Sequence, residues 1–412
     1  MLQIFLKKIN INLVPHPSKR SFAMFINEAH PFIKEANINC SCCFRLLYKN
    51  LLLLITYLLM ISFLESCKLV IFNKNKQCAN LFFLLEEGNL EAANEYLSKG
   101  CNINLKDAEG KTPLMQATLA HKSKIVEYLI NKDAQLNIQD NNGNTAVHYA
   151  IDDISILKNL INAHADLNIK ENNLGLTPLH LASAKGEMHA IEELIKSGAH
   201  IDSEDNEKCT PLCTAAGLGQ KDAVELLIKL GANVNSLDIN NNTILEQNLL
   251  SIRSLKIELK FRPSKEKEYL LYKEMQNILK NAGAQARKEA ELIFASIEGN
   301  EQEVEKAIMS SLDINSKICF DAPAIYEAAL FDNKSIVKML IKHGADVNAK
   351  NKYNEETALF AAIANENIDM IKLLISSGAL ISETNFSGLT VLDIAKWSGR
   401  EDIIAIIEKE KK

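Results

Sequence analysis

A short motif that recurs every 32 or 33 residues constrains the fold more than any other feature of this sequence. Its five N-terminal copies read Thr112-Pro113-Leu114, Thr145-Ala146-Val147-His148, Thr177-Pro178-Leu179-His180, Thr210-Pro211-Leu212-Cys213 and Thr243-Ile244-Leu245. Two later copies begin at Thr357 and Thr390, and Ala324 lies 33 residues before Thr357 in a degenerate copy. A period of this length predicts a stack of similar units, each packed on its neighbours.

Each copy is a turn that leads into a short helix. Gly175 can adopt the positive φ that a tight turn needs. Thr177 is a good N-cap, and Pro178 suits the first helical position because its missing N–H would have no helical partner there. A second signature follows in phase, in which a glycine ends a second apolar helix as its left-handed cap. Its copies are Gly198-Ala199, Gly231-Ala232, Gly344-Ala345 and Gly378-Ala379.

The two signatures together resemble the ankyrin repeat, over about residues 79–410. The resemblance implies an all-α solenoid of helix-turn-helix units with β-hairpin loops, preceded here by a hydrophobic N-terminal helix. It implies about ten units and suggests a bacterial, membrane-associated or secreted member of the family. It also implies that His148 and His180 hydrogen-bond within and between repeats and have no catalytic role.

The repeat phase is broken once in the middle of the chain. Gly231 and Gly283 both end second helices, but they lie 52 residues apart, which is 19 more than one period. We therefore assign repeats to residues 79–247 and 277–410, and an insertion within one repeat to residues 248–276. The stack is either continuous through this insertion or divided into two arrays that a helical linker joins.

The N-terminal part of the chain is not repetitive. Residues 1–45 form an irregular segment, and residues 46–72 hold an uncharged apolar run from Leu51 to Leu64. This run of fourteen residues is shorter than the roughly 20 that span a bilayer. It is compatible with an export or lipoprotein signal, an uncleaved membrane-anchor helix, or a buried helix that caps the array. We expect a membrane-associated or secreted protein, and otherwise a cytoplasmic one.

Composition argues against several classes of function. The net charge of −6 disfavours binding along a phosphate backbone, so no nucleic-acid partner is expected. The nine cysteines are scattered and odd in number, which predicts buried thiols, at Cys209 and Cys213 as elsewhere, and neither a disulfide framework nor a metal site. The sequence has no phosphate-binding glycine loop and no known catalytic motif. We expect no enzyme activity and no cofactor.

By resemblance, ankyrin arrays bind other proteins through their hairpin tips and the concave face of their first helices. Two positions near the end of each first helix are not dictated by the scaffold, and the candidate partner-binding residues there are Leu119, Lys185, Leu218, Phe331 and Trp397. Tyr353 and Phe386 are candidates at hairpin tips. The four aromatic candidates lie in the last three units, which is the composition of a binding hot spot. Alternatively, Trp397 and Phe386 only cover the open end of the last repeat.

These features predict a monomeric, non-catalytic scaffold that binds a partner protein. The alternatives are a membrane-anchored structural protein of the envelope and the regulatory subunit of an enzyme. The insertion offers a second candidate surface, because six basic residues outnumber two acidic ones between positions 253 and 267. Such a stripe binds an acidic partner or an anionic membrane, or it is simply a solvated helix face.

Overall fold

The computed structural model describes residue 78 and residues 80–410, apart from residue 319. Residues 79–412 belong to one compact unit. The predicted segments 1–45 and 46–72, with the hydrophobic helix expected in the second, lie outside the described residues. Within the described part of the chain, no helix has both the length and the apolar character that crossing a bilayer requires.

The described residues form twenty α-helices that follow one another in pairs, each consisting of a first helix and a second helix. The pairs are α1 (Asn80–Glu86) and α2 (Leu90–Ser98), α3 (Pro113–Leu119) and α4 (Ser123–Asn131), α5 (Ala146–Tyr149) and α6 (Ile154–Asn162), α7 (Pro178–Lys185) and α8 (Met188–Lys196), α9 (Pro211–Gly217) and α10 (Lys221–Lys229), α11 (Ile244–Leu259) and α12 (Glu266–Asn281), α13 (Lys288–Glu298) and α14 (Glu301–Ile308), α15 (Ala324–Leu330) and α16 (Lys334–Lys342), α17 (Ala358–Ala364) and α18 (Ile368–Ser376), and α19 (Val391–Ser398) and α20 (Glu401–Glu410). A 3-10 helix, Pro263–Lys265, joins α11 to α12. The helical class that the sequence predicts is confirmed.

The repeated threonine starts the first helices as predicted. The hydroxyls of Thr112, Thr210 and Thr390 each accept a hydrogen bond of 3.3 Å from the backbone N–H three residues later. Helix α15 begins one residue earlier than the motif predicts, since the motif places Ala324 at the N-cap. Pro323 is the N-cap, in an extended conformation, and Ala324 is the first helical residue. Proline fits this position because the N–H of an N-cap residue makes no helical hydrogen bond. The extended backbone of an N-cap is also compatible with the fixed φ of proline.

The first helices stack on one another without a break from α1 to α19, and each second helix packs against the first helix of its own pair. Because α9 contacts α11 and α11 contacts α13, the stack continues through the insertion. Apolar side chains form two buried clusters, one reaching from Leu81 to Ala284 and the other from Leu249 to Ile407. Both clusters include residues of α11. Residues of α12 also belong to both, so the two cores meet at this helix pair.

The loops between helix pairs are tight turns rather than full β-hairpins. In the described residues, isolated antiparallel bridges join Leu237 to Thr243 and Thr384 to Thr390. Elsewhere a side-chain carboxylate closes the turn, as Asp205 does by accepting two backbone N–H groups at 2.8 Å. Backbone hydrogen bonds also join the tips of neighbouring turns. The loops thus form a hydrogen-bonded row beside the helices.

The expectation of free thiols is wrong at four cysteines: Cys78 and Cys101 are each disulfide-bonded, and the sulfurs of Cys209 and Cys213 form a disulfide with each other. Cys209 ends a turn and Cys213 lies on the first helical turn of α9, and their Cα atoms are 5.5 Å apart. This separation is within the range that a disulfide bridges. The two residues come together because the chain bends into the helix at the N-cap between them, Thr210, a contact that the scattered cysteine pattern did not reveal.

Candidate functional site

The motif histidines hold neighbouring repeats together. The backbone N–H of Thr177 donates to Nδ1 of His180 at 3.1 Å, so the ring proton is on Nε2, which donates to the carbonyl of Cys209 at 3.0 Å. His148 repeats the arrangement and reaches the carbonyl of Leu176 at 3.3 Å. Both rings are buried. Their predicted structural role is confirmed, since both ring nitrogens of each are engaged inside the stack.

These histidines make the stability of the array depend on pH. Burial lowers the pKa of His148 and of His180, although the carbonyl hydrogen bonds partly oppose it. The unfolded chain therefore binds more protons than the folded one as the pH falls below about 6.5, and stability is lost in that direction.

Replacing His180 by glutamine is expected to flatten this dependence. The variant lacks one titrating ring, so the slope between pH 7 and pH 5 should fall by at most about 1.4 kcal/mol per pH unit. Urea unfolding at a series of pH values measures the slope for both proteins. Parallel curves for the wild type and the variant would show that His180 does not titrate in this range.

The C-terminal ends of successive first helices form a line along the stack, which we call the first-helix row. Of the candidate residues on it, Leu119, Leu218 and Trp397 are exposed, Trp397 by 73%. Lys185 is also exposed, and its ammonium lies 2.6 Å from the carboxylate of Asp152. These four side chains are available to a partner. The fifth candidate, Phe331, is partly buried.

The two candidates at the hairpin tips are also exposed, Tyr353 by 61% and Phe386 by 78%. Their turns are neighbours, because the backbone N–H of Phe386 donates to the carbonyl of Asn354 at 2.8 Å. The structure therefore places two large aromatic side chains on adjacent tips near the C-terminal end of the array.

The insertion contributes a feature that the sequence did not reveal: the C-terminal half of α11 crosses the first-helix row. The ammonium of Lys256 donates to the carbonyl of Ile297 at 2.6 Å, near the end of α13. The ammonium of Lys260, just beyond α11, donates to the carbonyl of Leu330 at 2.8 Å, at the end of α15, and to Oδ1 of Asn365 at 3.3 Å, after α17. The helix extension thus spans the ends of three successive first helices.

Phe331 lies beneath this extension. The ammonium groups of Lys256 and Lys260 are 5.2 Å and 5.4 Å from the centre of its ring, within the range of a cation–π interaction. Deeper in the same contact, the guanidinium of Arg253 forms a bidentate ion pair with the fully buried Glu327, at 2.6 to 3.0 Å. Phe331 is therefore engaged by its own chain.

Glu298 fixes the other side of the insertion. Its carboxylate lies 3.3 Å from the ammonium of Lys256 and 2.8 Å from that of Lys273, and it accepts a hydrogen bond from Tyr269 at 3.3 Å. Burial raises the pKa of Glu298, but the two ammonium groups outweigh it and the pKa lies below its usual value. Tyr272 adds a hydrogen bond of 2.7 Å to the carbonyl of Gly217 in α9. Both α11 and α12, the helices that contain the insertion, are thus bound to the stack.

A signal for this docking was present in the sequence. Residues 253, 256 and 260 are spaced by three and four positions, which places them on one face of a helix. The spacing indicates a common basic face, but it does not indicate that backbone carbonyls of later repeats lie opposite.

Comparison with known proteins agrees with the repeat. The family model for ankyrin repeats matches the chain three times, at residues 81–171, 151–238 and 325–411. The stretch that it leaves unmatched in between, residues 239–324, contains α11 to α14.

The similar proteins are diverse. Transient receptor potential cation channel subfamily A member 1 of Homo sapiens is 32% identical over 124 residues, 29% of this chain and 11% of that protein. An ankyrin repeat protein of Rickettsia felis is 31% identical over 143 residues, 32% of this chain and 44% of that protein. The nuclear factor NF-kappa-B p105 subunit of Gallus gallus is 33% identical over 86 residues, 21% of this chain and 9% of that protein. The matches span less than half of each relative. Because the family model covers more than half of the chain, this protein belongs to the ankyrin-repeat family.

Proposed function

We propose that this chain is a non-catalytic scaffold that binds another protein through the first-helix row and the hairpin tips. Ankyrin repeats generally mediate protein–protein interactions. The observation that carries the proposal is the exposure of three large aromatic side chains, Tyr353, Phe386 and Trp397, within the last units of the array. Exposed tryptophan and tyrosine side chains are typical of the residues that dominate binding energy.

The surface open to a partner has two parts, because α11 covers the middle of the row. The N-terminal part carries Leu119, Lys185 and Leu218, and the C-terminal part carries Tyr353, Phe386 and Trp397. We give the C-terminal part the larger share of the affinity, since aromatic anchors bury more apolar area than single leucines. A stack whose neighbours are hydrogen-bonded throughout also loses little conformational entropy when it binds.

The proposal extends to the organisation of the protein. We count each of the ten helix pairs of the described residues as one repeat and expect the protein to act as a monomer. Attachment to a membrane, or export, through residues 46–72 is proposed from the sequence alone. A structural envelope protein and a regulatory enzyme subunit are the alternatives, and no observation on the described residues favours either of them.

Loss of the exposed aromatics should abolish partner capture. The full-length protein is used as bait with a cell lysate, and retained proteins are identified by mass spectrometry. We expect the triple variant Tyr353→Ala, Phe386→Ala and Trp397→Ala to bind the retained protein at least about tenfold more weakly, because each side chain is a candidate hot spot. The melting temperature should change by only a few degrees, since all three side chains are exposed.

A matched control is Phe83→Ala, which removes an exposed aromatic from α1 at the other end of the array. It should leave capture unchanged. If the triple variant instead unfolds at a much lower temperature and still captures the same protein, Phe386 and Trp397 cover the open end of the stack and do not bind the partner.

A further inference from the structure

The first-helix row already binds basic side chains, because the insertion supplies them. Lys256 and Lys260 place their ammonium groups over the ring of Phe331 and donate to carbonyls in the last turns of α13 and α15. The C-terminal end of a helix carries partial negative charge. The row therefore recognises a lysine by two features together, an aromatic ring and the terminal carbonyls of a first helix.

The extension stops one unit short of the end of the row. Lys260 reaches Asn365, just after α17, and the chain then turns at Pro263 into α12. The next helix, α19, stacks on α17 about 8–10 Å further along. It carries Trp397 near its C-terminal end, one position earlier than Phe331 when each is counted from the N-cap of its own helix. Trp397 is largely exposed, whereas Phe331 lies under the insertion.

The sequence of the last two units has a small acidic excess. Between residues 358 and 412 it has eight acidic residues and six basic ones. One of the six, Arg400, forms ion pairs with Glu366 at 2.6 Å and Asp402 at 2.8 Å. Among aromatic side chains, tryptophan gives the strongest cation–π interaction. The exposed indole and the carbonyls at the end of its helix therefore favour a cationic ligand over an anionic one.

We infer that the open end of the row at Trp397 binds a helical segment of the partner protein that carries lysine or arginine. The cation lies over the indole of Trp397 and donates to carbonyls at the end of α19, as Lys256 and Lys260 do at α13 and α15, three and two units earlier. This inference rests on the proposed function and specifies the chemistry of the partner.

A peptide that copies residues 248–262 of this chain tests the inference, because it carries the basic face that the row binds internally. The labelled peptide is titrated with the full-length protein and followed by fluorescence anisotropy. A second peptide carries Arg253→Glu, Lys256→Glu and Lys260→Glu. We expect the first to bind and the second not to bind. Trp397→Ala should raise the Kd about three- to tenfold, and Trp397→Phe should restore most of the affinity.

The control protein is again Phe83→Ala, which should bind the first peptide like the wild type. Equal binding of the two peptides, or equal losses in Phe83→Ala and Trp397→Ala, would overturn the inference. Self-association without peptide that Trp397→Ala abolishes would also overturn it, since the occupant would then be a second copy of this chain. A captured partner that is lost in the triple variant but meets Trp397 through an acidic segment would overturn this inference alone and leave the proposed function intact.

Discussion

Replacing Arg253 by methionine is expected to lower the free energy of unfolding by about 3–5 kcal/mol. The carboxylate of Glu327 has 0% exposure, and within the described residues its hydrogen bonds at 2.6, 2.9 and 3.0 Å all come from this guanidinium. Without the arginine, a charge inside the second core has no partner, and the array must either hold it there or protonate it. Methionine fills much of the volume of the arginine side chain, so the lower free energy of unfolding reflects the unpaired charge more than a cavity. Urea unfolding at pH 7 measures the effect.

Two further measurements distinguish the unpaired charge of Glu327 from a general loss of packing as the cause of the lost stability. Burial raises the pKa of Glu327, so the folded Arg253→Met variant binds a proton more readily than the unfolded chain and should regain stability as the pH falls. The double variant Arg253→Met with Glu327→Met should be close to the wild type in stability, because an apolar pair of similar volume needs no desolvation of charge. A single variant that loses less than about 1 kcal/mol would mean that water reaches Glu327 in the folded protein.

The repeat itself could be predicted because its determinants are local. The hydroxyl of Thr210 caps a backbone N–H three residues later, and a proline at the first helical position is read directly from the sequence. The period then sets the register for every unit. Pro323 shows the limit of this reasoning, since a proline can serve as the N-cap where the motif has a threonine, and the register then differs by one residue.

The docking of the insertion could not be predicted because its contacts are distant in sequence and partly made to the backbone. Arg253 and Glu327 are 74 residues apart, and Lys260 and Asn365 are 105 apart. A carbonyl group accepts a hydrogen bond whatever its side chain, so the ends of α13 and α15 carry no sequence signal. From the sequence alone, the basic stripe is therefore compatible with binding a partner or a membrane, or with a solvated helix face. In the structure, three of its six basic residues, Arg253, Lys256 and Lys260, contact the array itself.

The candidate site could be predicted only in part, because the motif gives positions within one unit and not the contacts between distant units. Counting positions from the motif locates the ends of the first helices and the tips of the turns, and Tyr353, Phe386 and Trp397 are exposed at these places. The same counting selects Phe331, but it cannot show that another helix lies over that ring. Exposure depends on the whole stack, and a motif describes one unit.

A second ion pair joins the two cores, and its loss should uncouple them. Glu246 is fully buried on α11, at the position where two other repeats have His148 and His180. The backbone N–H and the Nε of Arg287, just before α13, donate to Oε1 of Glu246 at 2.7 and 2.9 Å, and its Nη2 donates to Oε2 at 2.9 Å. Burial raises the pKa of Glu246, but these bonds outweigh it and the pKa lies below its usual value. The pair thus takes the place of the histidine–carbonyl contact that His148 and His180 make to the next repeat.

We expect Arg287→Met to cost about 2–3 kcal/mol, since the backbone hydrogen bond to Glu246 stays while those from the side chain are lost. In a repeat array, a weakened interface between neighbours allows the segments on either side to unfold separately. Trp397, the single tryptophan of the chain, lies on α19, whose Val391, Leu392 and Ala395 belong to the second core, whereas circular dichroism reports on helices of both cores. The two urea transitions should therefore coincide in the wild type and separate in Arg287→Met.

Arg400→Met is the matched control, because it removes an arginine from a more exposed ion pair and should leave the transitions together. Coincident transitions in Arg287→Met would mean that the apolar contacts of α11 and α12 are enough to couple the two cores.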